Sequence, residues 1–270
     1  MTGFVRACLL LLPALLAACS YPWNDPYPAS QHEANVFYTS FMERPKHLDP
    51  VQSYSENEYQ LIANIYTPPL QYHYLKRPYQ LIPFAAQEIP RPAYYDKNDR
   101  PLPETADSKS IAYSVYEIRI KPGFKYQPHP AFATNADGRP TYLKFGPEAL
   151  RDMYELRDFK HTGTRELIAD DYVYQIKRLA HPRLHSPIFG LMSEYIIGLG
   201  EYAEKLKAAA KEQPPGGYLD LGQYELPGVA AVDRYTYRIR VKGKYPQFLY
   251  WLAMPFFAPV PAEVDRFYSQ

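Results

Sequence analysis

Apolar residues recur at helical spacing through 165–179, where Ile168, Tyr172, Ile176 and Leu179 share one stripe and Val173 lies at its margin. The pattern predicts a helix that buries this stripe. Asp170 and Asp171 stand in its first turn, where free N–H groups favour negative charge, and Lys177 and Arg178 stand in its last, where carbonyls favour positive charge. His181-Pro182 ends it. Tyr174 falls opposite the stripe, among Asp170, Lys177 and Arg178, and is expected to face water or a cleft.

The same periodicity predicts further elements along the chain. Ser55-Glu-Asn-Glu58 forms a capping box, followed by Leu61, Ile62, Ile65 and Tyr66 at helical spacing until Pro68-Pro69. A third helix is read over 193–213 from Tyr195, Leu199, Tyr202 and Leu206, a short one over 147–159, and an apolar one from Pro246 through Phe248, Leu249 and Leu252. Strands are read at 35–41, at 111–120 with a bulge near Val115 and Tyr116, and at 235–242, where Tyr235, Tyr237, Ile239 and Val241 alternate with polar residues. Val229 to Val232 precedes the last strand, so a hairpin turning near Asp233-Arg234 is expected. Mixed strands and helices without strict alternation indicate an α/β or α+β lobe.

Composition refines this picture. The chain has 270 residues, 46% of them hydrophobic, enough to bury a core, and its net charge of +1 leaves no electrostatic footprint for nucleic acid. Its 27 tyrosines fit half-buried strands, having an apolar body and a polar tip, and they also suit carbohydrate or peptide surfaces.

Residues 1–18 read as a signal segment: one positive charge before residue 7, an apolar run, then Leu16-Ala-Ala18 directly before Cys19. Leu-Ala-Ala-Cys resembles the lipobox of bacterial lipoproteins, in which the Cys becomes the lipid-bearing N-terminus. Cys8 lies in the segment to be removed, which leaves Cys19 alone and no partner for a disulfide. Several acyl chains anchor a protein stably, so the mature chain is expected on a membrane surface, with residues 19–34 as a Pro-rich tether and 35–270 as the folded domain.

Patterns that suggest chemistry are weak here. Gly198-Leu-Gly200-Glu-Tyr-Ala203 with Asp220 beyond it mimics a dinucleotide fingerprint, but Pro214-Pro-Gly-Gly217 occupies the place of the second strand. His181 and His185 have helical ligand spacing, but Pro182 interrupts the helix that would align them and no third ligand is near. Adjacent Asp170 and Asp171 do not face each other as an acid–base pair would. No cofactor, metal or enzymatic activity is expected.

Seven segments occur in a familiar order: His47-Leu-Asp-Pro50, Ile65-Tyr-Thr-Pro-Pro-Leu70, Tyr79-Gln-Leu-Ile-Pro-Phe-Ala85, Tyr116 to Lys125, Ala169 to Arg178, Gly228 to Thr236, and Pro246 to Pro261. Together they resemble the family 5 extracellular solute-binding proteins, the receptors of peptide-type ABC importers, and most closely the oligopeptide-binding lipoproteins. The resemblance implies an α/β periplasmic-binding-protein-like II fold, of which this chain carries the first lobe with its mixed sheets and helices. It also implies a peptide ligand, an inner-membrane ABC permease and ATPase as partners, a periplasmic location, and ligand contacts from Tyr54, Ser55, Glu56 and Tyr174. Three departures stand out: Thr67 where the family usually has Glu, Ile168 where a Thr would cap the central helix, and residues 125–130 without the usual Asp-Gly. The family chain continues through a second lobe, so one lobe alone is expected to bind peptide weakly or not at all. The alternative is a non-binding envelope lipoprotein with a structural or interaction role.

Overall fold

The structure is a computed structural model that describes residues 27–31, 33–36, 38–143, 148, 151–214 and 217–269. The signal segment and Cys19 lie outside the described residues. Residues up to Met42 and those from Glu43 onward form two separate units. In the first, the described residues contain one 3-10 turn, Ala29–Gln31, and the strand expected at 35–41 is absent. Strands need a partner to satisfy their backbone, and the described residues of that stretch pair with none.

In the second unit, helix α1 (Glu56–Ile65) precedes a two-stranded antiparallel sheet, β1 (Leu70–Tyr72) with β2 (Leu81–Pro83). A second sheet combines β3 (Ala93–Tyr95), β4 (Pro101–Leu102), β5 (Tyr113–Arg119), β6 (Val229–Asp233) and β7 (Thr236–Lys242) in the order β4-β3-β5-β7-β6, all antiparallel. Between β5 and β6 run α2 (Ala169–Arg178), α3 (Phe189–Tyr195) and α4 (Leu199–Glu212), and α5 (Phe248–Trp251) and α6 (Ala262–Tyr268) follow β7. The fold is thus mixed α and β, as the pattern indicated. No helix among the described residues is long and apolar enough to cross a membrane.

The core lies where α2 packs across one face of the larger sheet. Tyr172 of α2 stacks on Tyr237 of β7 with ring centroids 5.2 Å apart, and its hydroxyl donates to the Thr67 carbonyl at 3.0 Å. Tyr116 and Tyr202 are likewise fully buried and donate to the Tyr245 and Leu221 carbonyls. Many tyrosines here are therefore core residues whose one polar atom is paired with backbone, which removes the cost of burying it.

Several boundaries differ from the periodicity. Helix α2 begins at Ala169 rather than 165, because Leu167 donates to the Phe124 carbonyl and Ala169 to the Arg234 carbonyl, which holds 165–168 extended. Its cap is half a box: Ile168 has no side-chain acceptor, while Asp171 accepts from the Ile168 N–H at 3.0 Å. The helix read over 193–213 is broken into α3 and α4 at Gly198, where φ is +80°. Strand β5 carries no bulge; Ser114 takes an inward position and donates to the Gly243 carbonyl, which explains the apparent change of phase. The register irregularity lies instead on β6, between Ala231 and Asp233, where the expected hairpin turns. In place of a helix at 147–159 the described residues form turns, the last of them the 3-10 turn Leu156–Asp158.

Candidate functional site

The segment before α1 is fixed by one buried carboxylate. Glu58, at the third position of α1, accepts from the N–H groups of Lys46 (3.0 Å), His47 (2.9 Å), Tyr54 (3.2 Å) and Ser55 (3.3 Å), and from the Ser53 hydroxyl (3.0 Å). Burial works to raise its pKa, but the His47 N–H and the serine hydrogen bonds win and hold the carboxyl well below its usual range. The capping box read from the sequence is therefore also an anchor for the preceding loop. Its consequence is positional: Tyr54 is 75% exposed, Ser55 and Glu56 are exposed beside it, and the Tyr54 ring lies 6.1 Å from that of Phe256.

Tyr174 does not join them at the surface. It is only 7% exposed, and its hydroxyl donates to Asp265 of α6 at 2.6 Å. The expectation of a water-facing Tyr174 fails because α6 returns over that side of α2, and seven neighbours on the helix besides Tyr174 are buried: Ala169, Asp171, Tyr172, Val173, Gln175, Ile176 and Arg178. Burial, reinforced by the Asp265 charge, pushes its phenol far above the usual range.

A link between the two groups runs through Arg178, a residue that periodicity marked only as a helix-end charge. It is 4% exposed, donates to both Asp49 oxygens at 3.0 and 2.6 Å and to Gln175 Oε1 at 3.0 Å, and lies 3.4 Å from Asp265. Burial works to lower its pKa, and the Asp49 carboxylate outweighs it, so the guanidinium stays charged. Asp49 also accepts from the Val51 N–H at 3.0 Å, which orients the turn leading to Tyr54. Near the other end of α2, Arg165 spans Asp171 (2.6 Å) and Glu263 of α6 (2.7 Å). No sequence motif marked these pairs, since their partners lie 98 and 129 residues apart for the two long-range contacts.

Beside this network lies a cleft of about 360 Å³, lined among others by Tyr66, Thr67, Phe124, Tyr126, Leu167 and Val260. Arg165 sits over the rings of Tyr126 and Phe132 at 5.3 and 5.5 Å. His129, at its margin, has Nε2 3.0 Å from the Tyr268 hydroxyl, and burial lowers its pKa. An apolar wall with a few fixed polar groups is suited to binding.

The other patterns resolve structurally. Gly198 follows helix α3, not a strand, so the dinucleotide context is missing. His181 Nδ1 accepts from the Arg183 N–H, and His185 sits in left-handed backbone at φ +50°, so the two rings are not carried on one helix. Among the described residues no group of three or more His, Cys, Asp or Glu could hold a metal ion.

No protein-family model and no curated protein matches the chain. Solved structures similar to it include the murein tripeptide binding protein MppA of Escherichia coli, at 18% identity over 80% of this chain and 29% of that one, with a TM-score of 0.45. OppA of Listeria monocytogenes bound to peptide follows at 14% identity, 79% and 28% coverage and a TM-score of 0.43. The periplasmic binding protein DppA of Helicobacter pylori in complex with the peptide STSA shows 16% identity, 80% and 29% coverage and a TM-score of 0.43. The chain spans less than a third of the length of these relatives.

Proposed function

We propose that this chain is the first lobe of a peptide receptor of the family 5 type, held on a membrane surface in the periplasm by lipid on Cys19 and serving an ABC permease. The observation that carries the reading is the meeting of three family-like segments that are remote in sequence. Asp49 of His47-Leu-Asp-Pro50 pairs with Arg178 of the Ala169–Arg178 helix, whose Gln175 donates to the Phe256 carbonyl of the Pro-rich stretch 246–261. A chance likeness of scattered motifs gives no reason for those motifs to lock one another in place. This arrangement holds Tyr54, Ser55 and Glu56 outward beside Phe256, as a ligand-facing edge needs. Tyr174 then acts behind the edge, through Asp265, rather than on the peptide.

These 270 residues by themselves would hold peptide from this edge alone, so their affinity is low: ordering costs are met only by a surplus of contacts. The test is an NMR titration of the full chain with mixed short peptides. Saturable shifts that begin at Tyr54, Ser55 and Glu56, in the millimolar range, support the reading. Unperturbed spectra at several millimolar peptide refute it and leave the envelope lipoprotein without peptide binding.

A further inference from the structure

The face of the larger sheet turned away from α2 carries a second arrangement that peptide reception does not use. Tyr113, Val115 and Glu117 of β5 alternate with buried Ser114, Tyr116 and Ile118, and on β7 Arg238 and Arg240 alternate with buried Tyr237, Ile239 and Val241. The register sets Val115 against Arg240 and Glu117 against Arg238. These residues, with Arg91 and Asp99 at the margin, line a groove of about 650 Å³. Its lining includes the small side chains of Ala93, Val115 and Ala230.

The charges on this face do not balance. Arg238 and Arg119 share Glu117, at 2.7 and 2.9 Å. Arg240 stands 3.8 Å from Asp99 and stacks over Tyr113 at 4.5 Å, while Tyr113 itself stacks on Tyr95 at 5.1 Å. Arg91 makes no ion pair among the described residues. Within the groove Arg91, Arg238 and Arg240 thus face Glu117 and Asp99, while Arg119, outside its lining, also lies in the field of Asp233.

We infer that this groove binds an extended acidic peptide segment, with carboxylates at alternate positions seated on Arg238 and Arg240. Alternate residues along a strand repeat every ~6.6–6.8 Å, so Arg238 and Arg240 leave β7 at the same pitch as side chains i and i+2 leave an extended peptide. Guanidinium is the planar donor fork that matches a carboxylate, and stacking on Tyr113 holds one fork ready. The small lining residues let a backbone approach. An anionic bilayer fits less well, because its headgroup plane reaches cations that project from a surface, whereas these line a recess.

The test is fluorescence anisotropy with the full chain and a labelled peptide of alternating glutamate and alanine. A peptide of the same composition with its glutamates in one block and an alternating lysine peptide serve as controls. The alternating acidic peptide should bind saturably and weaken with added salt, the block peptide at least threefold less tightly, and the lysine peptide not at all. Arg238→Glu combined with Arg240→Glu should weaken binding at least tenfold, with circular dichroism and melting temperature checking the fold. Should the pair disturb folding, Arg91→Glu alone should still weaken binding severalfold. Absence of binding, equal binding of the block peptide, or unchanged affinity in these variants overturns the inference. So does tighter association with phosphatidylglycerol vesicles that the same variants abolish, which would assign the face to a membrane.

Discussion

The Tyr174 hydroxyl donates a hydrogen bond to a carboxylate that Arg178 also approaches, so its removal strips one of the two polar contacts holding Asp265 of α6 to α2. A hydrogen bond to a charged group is worth about 1.5–3 kcal/mol, and the remaining Arg178 contact offsets part of its loss. Tyr174→Phe should therefore lower stability by about 1–2 kcal/mol in urea unfolding. An unchanged midpoint would show that the phenol faces water after all. Asp49→Asn should cost more, about 3 kcal/mol, because the guanidinium it leaves behind is almost fully buried and keeps only the longer contact to Asp265 as ionic partner. Conversely, Tyr54→Ala removes an exposed ring, so it should leave stability within about 0.5 kcal/mol while abolishing the millimolar peptide shifts. A loss of stability without loss of shifts would make Tyr54 a packing residue.

Among elements, the join between α3 and α4 is closely packed. Ile197 donates to the Arg240 carbonyl and Ile196 bridges to Val241, so two residues leave the helix to extend the sheet before Gly198 restarts it. A Cβ at Gly228 would lie 2.2 Å from the Ile197 carbonyl oxygen, and both residues are held to β7, Ile197 through its N–H to the Arg240 carbonyl and Gly228 through its carbonyl to the Arg240 N–H. Gly228→Ala should thus cost about 2–3 kcal/mol, read as a drop in melting temperature, whereas Gly190→Ala, with open space around it, should not. Periodicity made α1, α2, β7 and the hairpin legible, since each buries one face of a regular element. It merged α3 with α4 because the stripe from Tyr195 through Leu199, Tyr202 and Leu206 continues across the break, and only the backbone pairing with β7 explains the interruption. It made the capping box of α1 legible and misplaced Tyr174, because helical phase says which side meets the first neighbour and nothing about Asp265, which arrives 91 residues later on α6. The pairs of Arg165 and Arg178 were unreadable for the same reason: long-range ion pairs leave no local pattern.

Across the whole molecule, location and acid response follow from groups spread along the chain. If Cys19 carries the anchor, Cys19→Ser should move the protein from the membrane to the soluble periplasmic fraction, since removal of the lipid leaves no stable hold on the bilayer. Persistence on the membrane would require another anchor. Acid response follows from two sets of groups. Glu166 is held down to about 2, first by the Gly123 N–H and then by Tyr235 and Arg234, and Glu58 and Glu117 are also lowered. Their contribution is present above the ordinary value of 4.5 and fades as pH falls toward 2. His181 behaves differently, because burial lowers its pKa from 6.5 to about 4. Between those values the unfolded chain takes a proton that the folded chain refuses, so stability falls as pH drops from 6.5 to 4 and is unaffected above that window. Urea midpoints should hence be flat above pH ~7, decline through the histidine window, and decline more steeply once the carboxylates join it. In His181→Asn the upper decline should shrink while the lower one stays. If the variant instead tracks the parent protein at every pH between 6.5 and 4.5, His181 is accessible to protons in the folded state and the acid response rests on His129 and the carboxylates.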